Sequence, residues 1–261
     1  MTLKLLLPAV VLTCYSLFSG QPGFPYEQAW KKVDSLIRKK GLPKSALAEV
    51  NKIYAAAKRE NQEAQWVKAV IYMMSLQEGS DEQSTTNFNL IEKEIRSAPP
   101  RVAAVLSSLE AEQLYFYLRQ NRYRLQQAAE IQNDSSSDIA TWTSVRLNAE
   151  IRSRYLQSLK PENLLKQTPV SQFDAVVNRG NARYLRPTLY DLLAYRALDY
   201  FQSDDPEQFA ENTFGADTGI FSPADHFVQW KIPDTDSSNQ AIAFRLYQDL
   251  LKFHAGDASP D

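Results

Sequence analysis

Large apolar side chains recur at every third or fourth position along most of this chain. The first stripe runs through residues 26–37 ("YEQAWKKVDSLI") and the second through residues 47–57 ("LAEVNKIYAAA"). This spacing places the apolar side chains on one face of an α-helix. Gly41 suits the end of the first helix, and Pro43 suits the first turn of the next. Two helices joined by so short a turn must lie antiparallel, so the pattern predicts a helical hairpin.

The same pattern continues through the rest of the chain, with polar or proline-rich breaks between the stripes. Pro99 and Pro100 precede a run rich in Leu and Tyr, so they mark the start of a long helix. Asp138 is suited to cap the helix that extends to about Leu159, because its carboxylate can accept hydrogen bonds from the first turn. Further helices are predicted at about residues 66–74, 87–97, 101–126, 138–159, 187–201 and 239–254, with irregular chain and a short helix at 169–187 and an ordered loop with short helical turns at 203–237.

The predicted fold class is therefore all-α, built from stacked antiparallel helical hairpins. The composition agrees, because 8 Gly against 13 Tyr and 12 Phe favours packed helices over a turn-rich β-sandwich. Helices in pairs are typical of a TPR-like α-solenoid, but the W-x-x-L-G-x-x-Y consensus of that repeat is absent. Either a TPR-like α-solenoid or an irregular helical array is expected, as a single domain over residues 21–254. Residues 255–261 read as a polar tail or a truncated linker.

Residues 1–20, "MTLKLLLPAVVLTCYSLFSG", differ from the rest of the chain. Lys4 precedes an apolar run that is too short to anchor the protein in a bilayer, and small residues follow that run. This is the layout of a secretory signal peptide. We therefore expect the protein to be exported to the periplasm, the outer membrane or the cell surface, with no transmembrane span.

The single cysteine, Cys14, leaves two kinds of processing open. Ordinary cleavage near residues 16–20 would leave a mature chain without cysteine, and hence without a disulfide or a thiolate metal site. Lipidation would instead make Cys14 the first mature residue and tether the chain to a membrane, although Thr13 is unusual at the preceding position.

Few residues are placed for chemistry. His226 and His254 are the only histidines, and neither has a second His or a Cys at ligand spacing. The chain contains no nucleotide-binding, serine-hydrolase or zinc-protease motif. We therefore expect a non-catalytic protein that needs no cofactor and no metal.

The charged residues also argue against a nucleic-acid partner. A net charge of −2 and a pI near 5.8 lack the basic field that such binding requires. Arg146, Glu150 and Arg154 follow one another at intervals of four. This spacing predicts ion pairs on a solvent-exposed helix face, each worth about 0.2–0.5 kcal/mol.

Two features could form a binding surface. The segment "GNARYLRPTLYD" (180–191) combines a tight turn at Gly180 with a helix start at Pro187, and Arg186 and Asp191 within it are the candidate docking residues. Aromatic side chains could also line a ligand groove, although they are more typical of wedges between packed hairpins. They are Tyr115, Phe116, Tyr117, Tyr123, Trp142, Tyr155, Tyr195, Tyr200 and Phe201.

Four segments of the sequence, taken in order, resemble one region of a known protein family. They are "AWKKVDSLIRKKGLPKSALAEVNKIYAAAKRENQEAQWVKAVIY", "DIATWT", "LRPTLYDLLAYRALDYF" and "QAIAFRLYQDLLKFH". Over about residues 26–254 the chain is similar to the N-terminal helical segment of large bacterial alpha-2-macroglobulin-like proteins of the cell envelope. That family continues into β-domains and a protease bait segment, and some members carry a reactive Cys-x-Glu-Gln thioester. The present sequence has no Cys-x-Glu-Gln, so the resemblance transfers no site residue onto it.

The resemblance implies a non-catalytic helical module at the start of an exported protein that traps or inhibits proteases. Its expected partners are proteins, namely later domains of the same or a longer chain, and proteases. The alternative is a freestanding TPR-like helical scaffold that binds a peptide or a glycan in its groove.

Overall fold

The computed structural model describes residues 23–77, 82–127, 138–180, 183–203 and 219–257. Over these residues the predicted all-α fold is confirmed, since the chain forms helices and only one isolated β-bridge. The predicted signal peptide with Cys14 and the last four residues of the predicted tail lie outside the described residues.

The helices are named here in chain order. The α-helices are α1 (Tyr26–Arg38), α2 (Pro43–Arg59), α3 (Glu63–Leu76), α4 (Glu82–Ser97), α5 (Pro100–Gln120), α6 (Arg122–Gln127), α7 (Ser144–Ser158), α8 (Glu162–Lys166), α9 (Leu189–Phe201), α10 (Ala224–Gln229) and α11 (Asn239–His254). Short 3-10 helices lie at Ile139–Thr141, Val170–Phe173, Arg183–Leu185 and Gly219–Phe221.

The first three helices form the stacked hairpins that the apolar stripes predict. The Tyr26 hydroxyl at the start of α1 donates to Glu60, one residue beyond α2, at 2.9 Å, so the two helices lie antiparallel. The Trp30 indole donates to Gln65 at the start of α3 at 2.6 Å. Gly41 adopts a left-handed φ of 60° in the turn between α1 and α2, a conformation that favours glycine.

Helix α5 is the central element of the molecule, because it packs against α3, α4, α7 and α9. Its partner α7 lies antiparallel to it, since Arg124 just beyond α5 donates to the carbonyl oxygen of Ala140 before α7 at 3.1 Å. One continuous apolar core extends from Trp30 in α1 to Leu250 in α11. Helices α9 and α11 form the last antiparallel pair.

A buried carboxylate ties three of these helices together. Glu94 of α4 is 3% exposed and accepts hydrogen bonds from the Tyr54 hydroxyl at 2.7 Å and the Trp66 indole at 2.8 Å. The Lys58 ammonium group of α2 lies 3.5 Å from a carboxylate oxygen of Glu94. A buried carboxylate with several donors is a satisfied structural group.

Several predicted helix boundaries differ from the structure, and three of these differences have a local physical cause. The helix predicted at 101–126 is interrupted at Asn121, whose backbone N–H and side-chain amide both donate to the carbonyl oxygen of Tyr117. Asp138 caps the 3-10 helix Ile139–Thr141, whereas α7 is capped by Thr143.

The start of α9 is the third difference. The helix begins at Leu189 and not at Pro187, because the intervening Thr188 is its N-cap. A capping box with Asp191 satisfies two backbone N–H groups there, which fixes the first turn.

The array is irregular over the described residues. The principal helices range from the 13 residues of α1 to the 21 of α5, and only the short α8 and two 3-10 helices lie between α7 and α9 in the part of the chain that the structure describes. This fits an irregular helical array better than a uniform repeat. Among the described helices, none combines the length and the apolar character that crossing a bilayer requires.

Candidate functional site

The loop between α8 and α9 is closed at its base by two backbone hydrogen bonds. Val170 N–H donates to the Pro187 carbonyl at 2.9 Å, and Leu189 N–H donates to the Thr168 carbonyl at 2.8 Å. They form the isolated antiparallel bridge of the fold. We call residues 168–180 and 183–189 the closed loop. The bridge joins the two ends of the closed loop, one on each side, at the start of α9.

The arms of the closed loop and the first part of α9 line a groove of about 360 Å³, which we call the arginine groove. Gly180, in its wall, has a left-handed φ of 55° that other residues adopt only with strain. This agrees with the tight turn predicted there, although Asn181 lies outside the described residues. The lining residues are Val170, Val177, Asn178, Arg179, Gly180, Arg183, Leu185, Arg186 and Leu192.

One carboxylate holds two arginines of this groove side by side. Asp174 pairs through one oxygen with Arg179 at 2.9 Å and through the other with Arg183 at 2.5 Å. The Arg183 guanidinium paired with Asp174 holds the pKa of this carboxyl group below its usual range. The carboxylate therefore stays ionised at neutral pH and keeps the two guanidinium groups in place.

Arg186, a predicted docking residue, lies in the same groove. Its guanidinium carbon is 3.6 Å from the centre of the Tyr195 ring, which is a stacked cation–π contact. Within the part of the chain that the structure describes, this guanidinium has no hydrogen-bonded or ionic partner. Arg179 and Arg183 share the single carboxylate of Asp174 and Arg186 has no carboxylate partner among the described residues, which leaves two positive charges uncompensated among these four groups.

Asp191, the other predicted docking residue, has an internal role. It is 1% exposed, and one of its oxygens accepts the backbone N–H and the hydroxyl of Thr188 at 2.9 and 2.8 Å. Its other oxygen lies 2.8 Å from Nε2 of His254, the last residue of α11. Burial removes this carboxylate from the surface, so the docking role predicted for Asp191 is replaced by helix capping and interhelical clamping.

His254 is held between two carboxylates. Its Nδ1 lies 2.6 Å from Asp257 and its Nε2 faces Asp191. Burial lowers the pKa of His254, but the hydrogen bonds with the two carboxylates outweigh burial and the net pKa is raised. His226 is exposed and lies beside Asp225. Within the described ranges, no group of His, Cys, Asp and Glu is arranged to hold a metal ion.

The ion pairs predicted on a solvent-exposed face of α7 lie instead inside the array. Arg154 is only 15% exposed and pairs with Glu110 of α5 at 3.1 Å and with Glu150 at 2.7 Å. It also pairs with Glu92 of α4. The Arg146 guanidinium lies 4.0 Å from the centre of the Trp142 ring. The prediction of an exposed face was wrong because α7 packs between other helices.

Glu110 is the most perturbed group of this cluster. Its burial raises its pKa to about 8, which Arg154 opposes and the nearby Glu92 and Glu150 reinforce. Glu110 was not among the predicted residues, although the sequence carries a signal for it. Glu110 lies four residues after Leu106 and four before Leu114, so it falls on the apolar stripe of α5.

The predicted aromatic residues divide between core and surface. Tyr115, Phe116, Tyr155 and Tyr200 line a second groove between α5, α7 and α9. Others fill the core, as their wedge role predicts; among them are Trp142 and Phe201, each 4% exposed. Tyr123 remains 75% exposed outside either groove.

No known protein-family model, curated protein or solved structure that we compared with the chain matches it. The arginine groove therefore has to be interpreted from its own geometry.

Proposed function

We propose that this chain is a non-catalytic helical interaction module, and that it docks an acidic segment of a partner protein in the arginine groove. In keeping with the resemblance of its sequence, the module would begin an exported alpha-2-macroglobulin-like protein of the cell envelope. Its partner would then be a later domain of that protein or a protease that the protein inhibits.

The uncompensated charge of the arginine groove is the observation that carries the proposal. Guanidinium groups bind carboxylates through paired N–H donors at their edge, and the Arg186 guanidinium is already ordered by its contact with the Tyr195 ring. Pre-ordering reduces the entropy lost when a ligand binds. An acidic side chain of a partner is therefore the group that best complements this groove.

The apolar part of the groove adds a second requirement. Leu185, which is 51% exposed, and the partly buried Val177 and Leu192 lie beside the arginines. A ligand that combines carboxylates with an adjacent apolar side chain would cover both. A free inorganic anion would use only the charge, so we expect an acidic peptide segment to bind more tightly.

The first prediction concerns Arg186. The full chain should bind a fluorescently labelled Glu-rich peptide containing one Leu, and Arg186→Ala should weaken that binding roughly fivefold, as about 1 kcal/mol for an exposed charge pair implies. Arg186→Lys keeps the charge but loses the contact of a planar guanidinium with the Tyr195 ring. The affinity of this variant for the peptide should therefore lie between those of the wild type and of Arg186→Ala. Fluorescence anisotropy measures each dissociation constant.

Arg38→Ala is the matched control, because Arg38 is an exposed arginine at the end of α1. It should leave peptide binding unchanged. The same peptide with Gln in place of Glu should bind weakly. Added salt should weaken the binding of the Glu-rich peptide, because salt screens exposed charges. Equal affinity of the Glu and Gln peptides, or equal effects of the Arg38 and Arg186 variants, would rule out docking by charge at this groove.

The envelope context has its own test. An antibody raised against residues 26–254 should detect a much larger polypeptide in envelope fractions of the native host if the module begins an alpha-2-macroglobulin-like protein. A band near the 29.7 kDa of this chain would contradict that context. Mass spectrometry of the mature N-terminus would separate cleavage near residues 16–20 from lipidation of Cys14.

A further inference from the structure

The second groove lies on a different part of the array and does not depend on the proposed docking function. It has a volume of about 310 Å³, which is at the small end of ligand pockets, about 300–1,000 Å³. Helix α5 contributes Glu112, Phe116 and Arg119, α7 contributes Tyr155, and α9 contributes Arg196 and Asp199. We call it the aromatic groove.

A buried tyrosine at the groove has an unused hydroxyl. Tyr155 is 4% exposed, and its ring stacks on Tyr200 with the ring centres 5.2 Å apart. Burial raises the pKa of Tyr155 to about 12, and the charged groups that modify this shift, Arg196, Glu112 and Asp199, all belong to the groove. Among the described residues the Tyr155 hydroxyl has no hydrogen-bond partner, so it remains available to a ligand.

The charges of the aromatic groove balance, unlike those of the arginine groove. Arg196 pairs with Glu112 at 2.9 Å and also donates from Nε to the Ser108 hydroxyl at 2.8 Å. Arg119 and Asp199 supply one further charge of each sign. A ligand with a net charge would meet groups of the same charge as well as groups of the opposite charge. The groove therefore suits a neutral ligand with several hydroxyl groups.

Phe116 supplies an apolar contact at the edge of the groove. Its side chain is 56% exposed although it lies on the central helix α5. The face of an aromatic ring carries partial negative charge and attracts the partially positive C–H groups of a flat ligand. A pyranose ring offers such a face of C–H groups, with hydroxyls around its rim.

We propose that the aromatic groove binds one or two rings of a neutral saccharide. One sugar face would lie on Phe116, and its hydroxyls would bond with Tyr155 and with the carboxylates and guanidinium groups of the groove. Charged side chains that present paired donors or acceptors match neighbouring hydroxyls. A peptide main chain is less suited, because the helical walls have their own backbone groups already paired and the lining offers no side-chain amide.

The test uses the full chain and a panel of neutral mono- and disaccharides. Saturation-transfer NMR should show contact with at least one sugar, and isothermal titration should give its dissociation constant. Phe116→Ala should weaken the binding of that sugar roughly tenfold, because the contact between the sugar and the aromatic ring is lost. Tyr155→Phe keeps the buried ring and removes only the hydroxyl. It should therefore weaken the binding of the sugar by a smaller factor than Phe116→Ala does.

Tyr123→Ala is the matched control, because Tyr123 is an exposed aromatic residue outside the groove. It should leave sugar binding unchanged, and circular dichroism should show the same helix content in every variant. Absence of saturation transfer to every sugar would overturn the proposal. So would binding that Phe116→Ala does not weaken, or binding of a neutral oligopeptide in place of any sugar.

Discussion

At the scale of single residues, two buried glutamates of this array differ in how their charge is satisfied. Glu94 accepts hydrogen bonds from a tyrosine and a tryptophan and lies near Lys58. Glu110 pairs with Arg154, but it shares that arginine with Glu92 and Glu150. Glu92 also pairs with Arg96 at 2.9 Å, whereas Glu110 has only the shared Arg154 among the described residues. Burial and the neighbouring carboxylates therefore favour the protonated form of Glu110.

The pH dependence of stability should expose this difference. The pKa of Glu110 in the folded protein is about 8, above its ordinary value of 4.5. Its contribution to stability is therefore fully present below pH 4.5 and is lost as the pH rises towards about 8. Glu110→Gln mimics the protonated form, so its unfolding free energy relative to wild type should rise by on the order of a few kcal/mol between pH 5 and pH 8.

Urea unfolding at a series of pH values measures this relative free energy. Glu112→Gln is the control, because Glu112 lies one half-turn away on α5 with its side chain 51% exposed. A constant difference between Glu110→Gln and wild type over this pH range would show that Glu110 is ionised in the folded protein throughout.

Residue-level roles were the hardest part to predict from the sequence. The spacing of Glu150 and Arg154 shows that they are neighbours on one helix, but not that Glu110 of α5 lies 3.1 Å from the same arginine. Asp191 carried the same ambiguity. An acidic residue near a helix start can be a cap or a surface contact, and only the position of His254, 63 residues later, resolves it.

At the scale of elements, the end of α11 is clamped to the start of α9 through His254 and Asp191. The same aspartate completes the capping box of α9. One carboxylate therefore fixes both the beginning of one helix and the end of its neighbour. The clamp also fixes the base of the closed loop, because Leu189, the first residue of α9, bonds back to Thr168.

Asp191→Asn should weaken this clamp. The pKa of His254 is raised in the folded protein, so its contribution to stability is present below its ordinary value of 6.5 and is lost as the pH rises through the raised pKa. Replacing the charged carboxylate should lower the pKa of His254, and should cost about 1 kcal/mol of stability at pH 5.5 but less at pH 8.5.

Proton NMR can follow this titration directly, because the chain has only 2 histidines. The resonances of the exposed His226 should not respond to the substitution, which makes them an internal reference. An unchanged titration of His254 in the Asp191→Asn variant would mean that the two side chains are not coupled in solution.

Elements were predicted more reliably than residues. Residues 239–254 were expected to form the last helix, and α11 has those bounds, because its apolar spacing and its Ser238 cap agree. The arginine groove, in contrast, depends on the bridge between Pro169 and Thr188, which joins positions 19 residues apart. No helical periodicity marks such a bridge, so the meeting of Arg179, Arg183 and Arg186 was not predictable.

At the scale of the whole molecule, the array combines one continuous core with two grooves of different character. The core runs from α1 to α11, with α5 at its centre. The arginine groove carries uncompensated positive charge, whereas the aromatic groove balances its charges around exposed and buried rings. Since the core secures the helices, each groove can be altered by surface substitutions with little expected effect on the fold.

Hydrogen–deuterium exchange of the full chain, with and without the Glu-rich peptide, tests the central claim most directly. We expect the peptide to slow exchange in the closed loop and the first turn of α9, and to leave α1, α2 and α3 unchanged. Slowed exchange confined to α1–α3, or no change anywhere at saturating peptide, would contradict docking in the arginine groove.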